Sequence, residues 1–298
     1  MANSIALAEQ YTGILDEKYK KDSLTSVLDV QDEFLQGFNN AGTIQIMSVV
    51  TDGLGDYDRA TGFPAGSTTA TWESHTIDND RGQSFQVDVM DNAEAGGKVF
   101  IETNRQFMKQ EVIPEIDATR FAKMAASGAS ATPATLADGD AYLAAIDAAN
   151  LIMDDAEVPE ESRILYLSNS GFSLLKNASA ITRQFETTTV GDKVIERRFW
   201  ALDGVPVVKV PAGRFYTAID LDDGTGGGGF AKSTAGRAIN FQLVHIEAAK
   251  AVTRHAKVRI FPADVNQTGD GDRYDYRLYH DLIVPANKTA GIYTHNIA

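Results

Sequence analysis

The chain contains no cysteine. Neither a disulfide framework nor a thiolate metal site can be built, no thiol nucleophile exists, and folding in a reducing cytoplasm is the simplest setting. No apolar run approaches the ~18 residues a membrane-spanning helix needs. The opening MANSIALAEQY has neither the basic flank nor the long apolar core of a secretory leader. Positive charge is scarce: 27 Lys and Arg stand against 41 Asp and Glu, a formal charge of −14. That balance argues against broad binding to phosphate backbones, which takes clustered basic side chains. It suits a surface that repels nucleic acid and stays soluble when concentrated. Lys193, Arg197 and Arg198 form the one dense basic group, too small to alter this.

Patterns that carry chemistry are missing as well. There is no Gly-x-Ser-x-Gly elbow. The glycine run within Asp220 to Phe230 is followed by Phe230 and Ala231 before Lys232, whereas a phosphate loop needs the lysine directly after its last glycine; the run reads as a mobile surface loop. Asp264 to Asp275, DVNQTGDGDRYD, comes close to a calcium loop, with Asp264, Asn266, Gly269, Asp270 and Asp272 suitably placed. Thr268 and Asp275 spoil it, the latter standing where a longer bidentate glutamate is wanted. Its flanks read as strands, so a polar turn is the favoured reading, with Asp264, Asn266, Asp270 and Asp272 kept as a weak cation candidate. His75, His245, His255, His280 and His295 are scattered, and the pair His245 and Glu247 on one strand face is not a metal site by itself. No catalytic constellation and no cofactor site emerges, and a chain that is not an enzyme is expected.

What is present is a long amphipathic stretch, Gly97 to Gly128. Phe100, Phe107, Met108, Val112, Ile116, Phe121, Met124 and Ala125 recur at helical spacing, with charged residues between them. Pro114 interrupts it, and a kinked, nearly continuous helix ending at Gly128 is expected. Before it, residues 1–42 read as a mostly polar helical arm too thin for a core of its own. Thr43 to Val50 is strand-like. Thr68 to Ile77 and Ser84 to Val89 alternate as strands around a turn at Asp78 to Gly82, which predicts a long two-stranded β-arm. An isolated hairpin is marginal in water, so this one needs a surface to lie on, either its own domain or a neighbour. After the helix, Ser127 to Asp138 is linker-like. A helix from Gly139 to Met153, a strand Arg163 to Leu167, a short helix capped by Ser168, a turn at Asp203-Gly204 and a strand Val205 to Val210 then describe an α/β or α+β unit. Strands at Phe241 to Ile246, Ala251 to Phe261 and Arg273 to Val284 close the chain.

Taken in order, these parts resemble the major capsid protein of tailed bacteriophages, with the Hong Kong 97-like fold. The residues that carry the resemblance are the hairpin at Thr68 to Val89, the helix ending VIPEIDATRFAKMA, the strand–helix RILYLSNSGFSLLK, the turn–strand DGVPVVKVP, and the closing VRIFPADVN…DYRLYHDLIVPANKTAGIY. The resemblance implies an α+β fold with an N-terminal arm (1–42), a strand and extended β-hairpin loop (43–96), the spine helix of a peripheral domain (97–131), an axial domain (132–245) whose glycine-rich loop points to the capsomer centre, and return strands completing the peripheral domain (246–298). It implies a coat subunit that self-assembles as hexamers and pentamers into an icosahedral head around double-stranded DNA, held without sequence specificity. The partners it implies are further copies of the chain, a portal protein at one vertex and no membrane, with assembly in the host bacterial cytoplasm and residence in the virion. Candidate inter-subunit contacts are Trp72, Ile77, Arg81 and Phe85 on the hairpin and Tyr11 and Ile14 on the arm. Some family members cross-link through a lysine on the extended loop; no lysine lies between Asp22 and Lys98 here, so a shell without such links is expected. The chain begins directly with the arm, from which a separate scaffolding protein is expected. Two rivals stand beside this reading: the shell of a cellular nanocompartment of similar fold, and a soluble hydrolase or calcium-dependent module using the Asp264 to Asp275 loop.

Overall fold

The computed structural model describes residues 22–29, 43–94, 99–179, 200–222 and 227–298. In chain order its elements are strands β1 (Thr43–Thr51), β2 (Thr68–Thr76) and β3 (Asn79–Asp88), helices α1 (Val89–Glu94), α2 (Val99–Phe107) and α3 (Ile113–Ser127), strand β4 (Ala129–Ser130), helix α4 (Gly139–Asp155), strand β5 (Arg163–Ser168) and helix α5 (Asn169–Leu175). Strands β6 (Trp200–Leu202), β7 (Val205–Val210), β8 (Ile219–Leu221), β9 (Phe230–Lys232), β10 (Ile239–His245), β11 (Lys250–Phe261), β12 (Gly271–Ile283) and β13 (Ile292–Asn296) follow.

The amphipathic stretch forms one spine. α2 runs without a break through a π-helical turn, Met108–Val112, into α3, a rod on the order of 40 Å long at ~1.5 Å per residue. Pro114 explains the wide turn. In an α-helix its ring would strike the carbonyl four residues back. Here Ile113 N–H donates five residues back, to Met108 O, and the π-turn gives Pro114 room as the second residue of α3, where its missing donor matters least.

The spine packs on two sheets. Its first half sets Phe100, Phe107, Met108, Val112 and Ile116 against Val87, Tyr274, Tyr276 and Leu278 of the three-stranded antiparallel sheet β11-β12-β3. Its second half sets Phe121 and Met124 against the six-stranded sheet β4-β13-β10-β5-β7-β6. Phe121 is fully buried, edge-on to Tyr166 at 5.1 Å and to Phe215 at 5.0 Å. The other face of that sheet is covered by α4 and α5, with Tyr142, Ile146, Met153 and Phe172 on Leu165, Leu167, Phe241 and Leu243. β5 is therefore buried along its whole length, Ile164 and Tyr166 to one side, Leu165 and Leu167 to the other. Ser168 caps α5 by accepting from Gly171 N–H. Asp203 and Gly204, both at positive φ, make the tight turn between β6 and β7.

Four expectations change. Thr68–Thr76 and Asn79–Asp88 do not pair with each other: β2 pairs with β1, residue for residue from Thr51↔Thr68 to Thr43↔Thr76, and β3 pairs with β12. The arm is thus β1–β2 with residues 52–67 at its tip. Asp78 to Gly82 is no hairpin turn, because Ile77 is buried with Ile44, Val252 and Ile283 and the chain passes straight from one sheet into the next. Ser127 to Asp138 is not a free linker; Ala131 N–H donates to Thr294 O and Ala134 N–H to Asn296 O, stitching it to the edge of the six-stranded sheet. Gly128 is extended, at φ −86 and ψ 176, so its role is close approach rather than a left-handed cap: a Cβ there would stand 2.5 Å from Ile292 Cγ2. Finally, β13 does not join the return strands beside the spine. It lies between β4 and β10 in the six-stranded sheet, whereas β11 and β12 do complete the sheet under the spine.

Candidate assembly interface

The arm has two unlike faces, because alternate residues of a strand point opposite ways. One carries Ile44 and Ile46, packed with Val252, Ile283 and Tyr279. On the same face Asn287 Nδ2 donates to Ser48 Oγ (2.7 Å) and Ala286 N–H to Glu73 Oε2 (3.1 Å). This face seats the base of the arm on its own chain. The other face is made of Thr43, Gln45, Met47, Val49 and Thr51 opposite Thr76, Ser74, Trp72, Ala70 and Thr68. It holds no charged side chain. Met47, Val49 and Trp72 are 54%, 49% and 63% exposed, with Met47 directly across from Trp72. Beyond it, the tip exposes Leu54, Tyr57 and Phe63. In an acidic chain the outer face of β1–β2 is an uncharged surface with exposed apolar side chains, which makes it a candidate interface.

The elbow that sets the arm's direction is built from buried polar groups. Asp281, at 1% exposure on β12, accepts from Asp78 N–H (3.2 Å) and Asn79 Nδ2 (3.2 Å) and is paired with Lys123 of the spine. Tyr279 Oη donates to Ile77 O at 2.9 Å. Next to Asp281, His280 is 2% exposed and its Nδ1 has no partner. Burial, with Arg120, Lys123 and Arg81 nearby, lowers its pKa to about 4, against a smaller opposing pull from Asp281. The unfolded chain binds that proton from about pH 6.5 downwards while the folded chain refuses it until about pH 4. Stability therefore holds above pH 6.5 and falls as the pH drops toward 4, by roughly 3 kcal/mol for this group. Burial lowers the pKa of His295 too, with the same sign. Urea unfolding at pH 7 and pH 4.5 should show the drop, and His280→Gln should flatten it; an equal slope in the variant would remove His280 as its cause.

A second anchor holds the start of the described chain. Asp117 of α3 is fully buried and accepts from Ser23 Oγ (3.0 Å), Leu24 N–H (3.1 Å), Thr25 N–H (3.3 Å), Thr25 Oγ1 (2.7 Å) and Arg214 Nη1 (2.9 Å). Arg120 donates to Thr25 O (3.1 Å) and to Asp29 Oδ1 (2.6 Å). Leu28 is thereby pinned in the main core.

The candidate contacts fall unequally. Trp72 is exposed on the uncharged face. Ile77 is 3% exposed inside its own chain. Phe85 packs edge-on against Phe107 at 4.9 Å. Arg81 is held by Glu115 (2.7 and 3.2 Å) and by the carbonyls of Asp222 (2.5 Å) and Gly229 (3.1 Å). Phe85 and Arg81 are spent within the chain because β3 lies in the sheet under the spine and not on the arm, and Ile77 because it packs with Ile44, Val252 and Ile283 at the arm's base. Tyr11, Ile14 and the basic group Lys193, Arg197 and Arg198 lie outside the described residues. Met47 and Val49, which the pattern of the sequence left as part of a plain strand, take the place of Ile77 and Phe85; nothing but pairing to β2 could have shown it.

The remaining motifs resolve as turns. Between β11 and β12, Asp272 Oδ1 accepts from Ala263 N–H, Asn266 Nδ2 donates to Gly271 O and Asn266 Oδ1 accepts from Thr268 N–H. No group of three metal-ligating side chains occurs among the described residues; Asp264, Asn266, Asp270 and Asp272 make a turn. His245 Nδ1 accepts from Glu247 N–H, and Glu247 pairs with Lys288. In the described part of the glycine-rich hairpin β8–β9, Arg81 ties the carbonyls of Asp222 and Gly229 to Glu115 on the spine.

No protein-family model matches this chain, and no curated protein sequence matches it. Solved structures do. A structure from Mycobacterium phage Che8 aligns with 99% of this chain and 98% of its own at 18% identity and a TM-score of 0.67. The capsid of the cyanophage P-SCSP1u covers 98% of this chain and 93% of its own, at 16% identity and a TM-score of 0.68. The mature capsid of bacteriophage PhiM1 covers 98% and 92%, at 16% identity and a TM-score of 0.69. Sequence identity this low carries fold and nothing finer, and on that ground the chain has the α+β, Hong Kong 97-like fold of phage capsid subunits.

Proposed function

We propose that the chain is the major capsid protein of a tailed phage, a structural subunit without catalysis that closes by repeated self-contact into the icosahedral head. The observation that carries this is the uncharged outer face of the arm. Among the described residues Met47, Val49 and Trp72 stay about half exposed or more, and covering the exposed part of Trp72 alone removes on the order of 130 Å² of surface, about 3 kcal/mol per contact. Repeated around a ring, such heterologous contacts give closed hexamers and pentamers. In this reading the arm of one copy lies on the next. The spine with β3, β11 and β12 makes the peripheral domain, and the six-stranded sheet with α4 and α5 the axial domain. Double-stranded DNA fills the head without sequence contacts, which the net charge of −14 favours. A scaffolding protein and a portal at one vertex complete assembly in the bacterial cytoplasm. The test is what particles recovered from phage-producing cells enclose: DNA is expected, and enzymes in place of DNA would make the chain a nanocompartment shell.

A further inference from the structure

A cavity of about 380 Å³ opens where three elements meet: the π-turn of the spine, strand β3 at the edge of its sheet, and the glycine-rich hairpin β8–β9. That volume falls within the range of small-molecule sites, and π-turns recur at binding sites. One wall is aromatic. Phe85 and Phe107 stand edge-on at 4.9 Å, and Phe107 and Tyr276 at 6.0 Å. Leu278 and Val112 complete the apolar lining.

The charged groups of the cavity are unequal. Among the described residues that line it, Arg81 is the one cation. Its guanidinium is already taken up: Nε and Nη2 donate to Glu115, Nη1 to Asp222 O and Nη2 to Gly229 O. Glu111, one turn before Glu115 on the spine, also lines the cavity; it is exposed and makes no hydrogen bond or ion pair among the described residues. The cavity therefore offers aromatic rings and an uncompensated carboxylate. An anion entering it would meet Glu111 with Arg81 already engaged. A cation on an apolar body satisfies both features, since its charge pairs with the carboxylate and is drawn to the negative faces of the rings. We propose that this cavity binds a small organic cation, an ammonium group carried on a ring or short alkyl body, with Glu111 as counter-charge and Phe85, Phe107 and Tyr276 as walls. A ligand seated there touches the spine, the sheet and hairpin β8–β9 together, adding to the tie that Arg81 makes between them. The site lies within one copy of the chain and stands or falls apart from the shell reading.

Three probes that share an indole ring test this by equilibrium dialysis against the full chain at pH 7: tryptamine, whose amine is charged at that pH, the neutral alcohol tryptophol, and indole-3-propionate. Tryptamine is expected to bind with a dissociation constant on the order of 1 mM, the range open to a ligand of its size. Tryptophol should bind about fivefold more weakly, and the carboxylate more weakly still. Glu111 is exposed, so Glu111→Gln keeps the fold; it should weaken tryptamine about fivefold and leave tryptophol unchanged. Phe107→Leu should weaken tryptamine and tryptophol alike, about threefold, through the lost ring. Asp155→Asn removes an exposed carboxylate from α4 and should change neither, which separates a site from the general pull of a chain of net charge −14 on cations. Equal binding of the three probes, or no binding of tryptamine up to about ten times the expected constant, overturns the proposal. So does a loss in Asp155→Asn as large as that in Glu111→Gln, which would make the attraction one of diffuse surface charge.

Discussion

Asp117→Ala should cost the folded chain about 3–5 kcal/mol, the largest loss of stability expected from any single side chain here. Five donors converge on this carboxylate, and one of them is Arg214, whose side chain is 4% exposed. Removing the acceptor takes the carboxylate from a buried guanidinium and unhooks Ser23, Leu24 and Thr25 at once. Leu28, 2% exposed three residues on, is held in the core by the same hook. Urea unfolding should therefore show the loss, and limited proteolysis should cut within residues 22–29 far sooner than in the parent. Asp117→Asn keeps the size and one acceptor but not the charge, and should fall between. A loss under about 1 kcal/mol, with no new cleavage, would mean that the segment is held by Leu28 and Arg120 alone.

Trp72→Glu should do the reverse: leave the fold intact and abolish assembly. Trp72 lies in a two-stranded arm, 63% exposed, and touches no core cluster, so its replacement should change unfolding free energy by no more than about 0.5 kcal/mol. In the shell reading the same change buries a carboxylate on a face that holds no charge, opposite Met47. It also removes an aromatic anchor, a loss of about 2–4 kcal/mol at every copy of the contact. Free energies that repeat at each contact compound, so soluble, folded subunits are expected where the parent gives particles. Variants that assemble normally would move the interface off this face; variants that unfold would show that the arm is packed on its own body.

Much of this architecture could be read from residue order. The eight apolar positions of the spine all land on a sheet, because a helix that crosses two sheets must keep one stripe apolar along its whole length. Ser168 before Asn169 and Asp203-Gly204 before Val205 were legible since caps and tight turns are local chemistry. Pairing was not. Asp78 to Gly82 has the composition of a turn, yet the apolar Ile77 beside it belongs to a core whose other members, Val252 and Ile283, are more than 170 residues away. Asp117 and Arg120 read as solvent-facing charges between apolar positions. They are buried because residues 22–29 and Arg214 close over that side of α3, a contact with no mark in the helix itself. The small residues of Ser127 to Asp138 looked like flexibility; at Gly128 smallness instead admits Ile292 at van der Waals range. The outer face of the arm could be named only once β1 replaced β3 as its second strand.

Electron microscopy of the purified full chain tests the central claim most directly, namely that the outer face of the arm is completed by another copy. Closed shells of uniform size, with density of a neighbouring copy over Met47 and Trp72, are predicted. A discrete monomer with Trp72 folded against its own chain would contradict it.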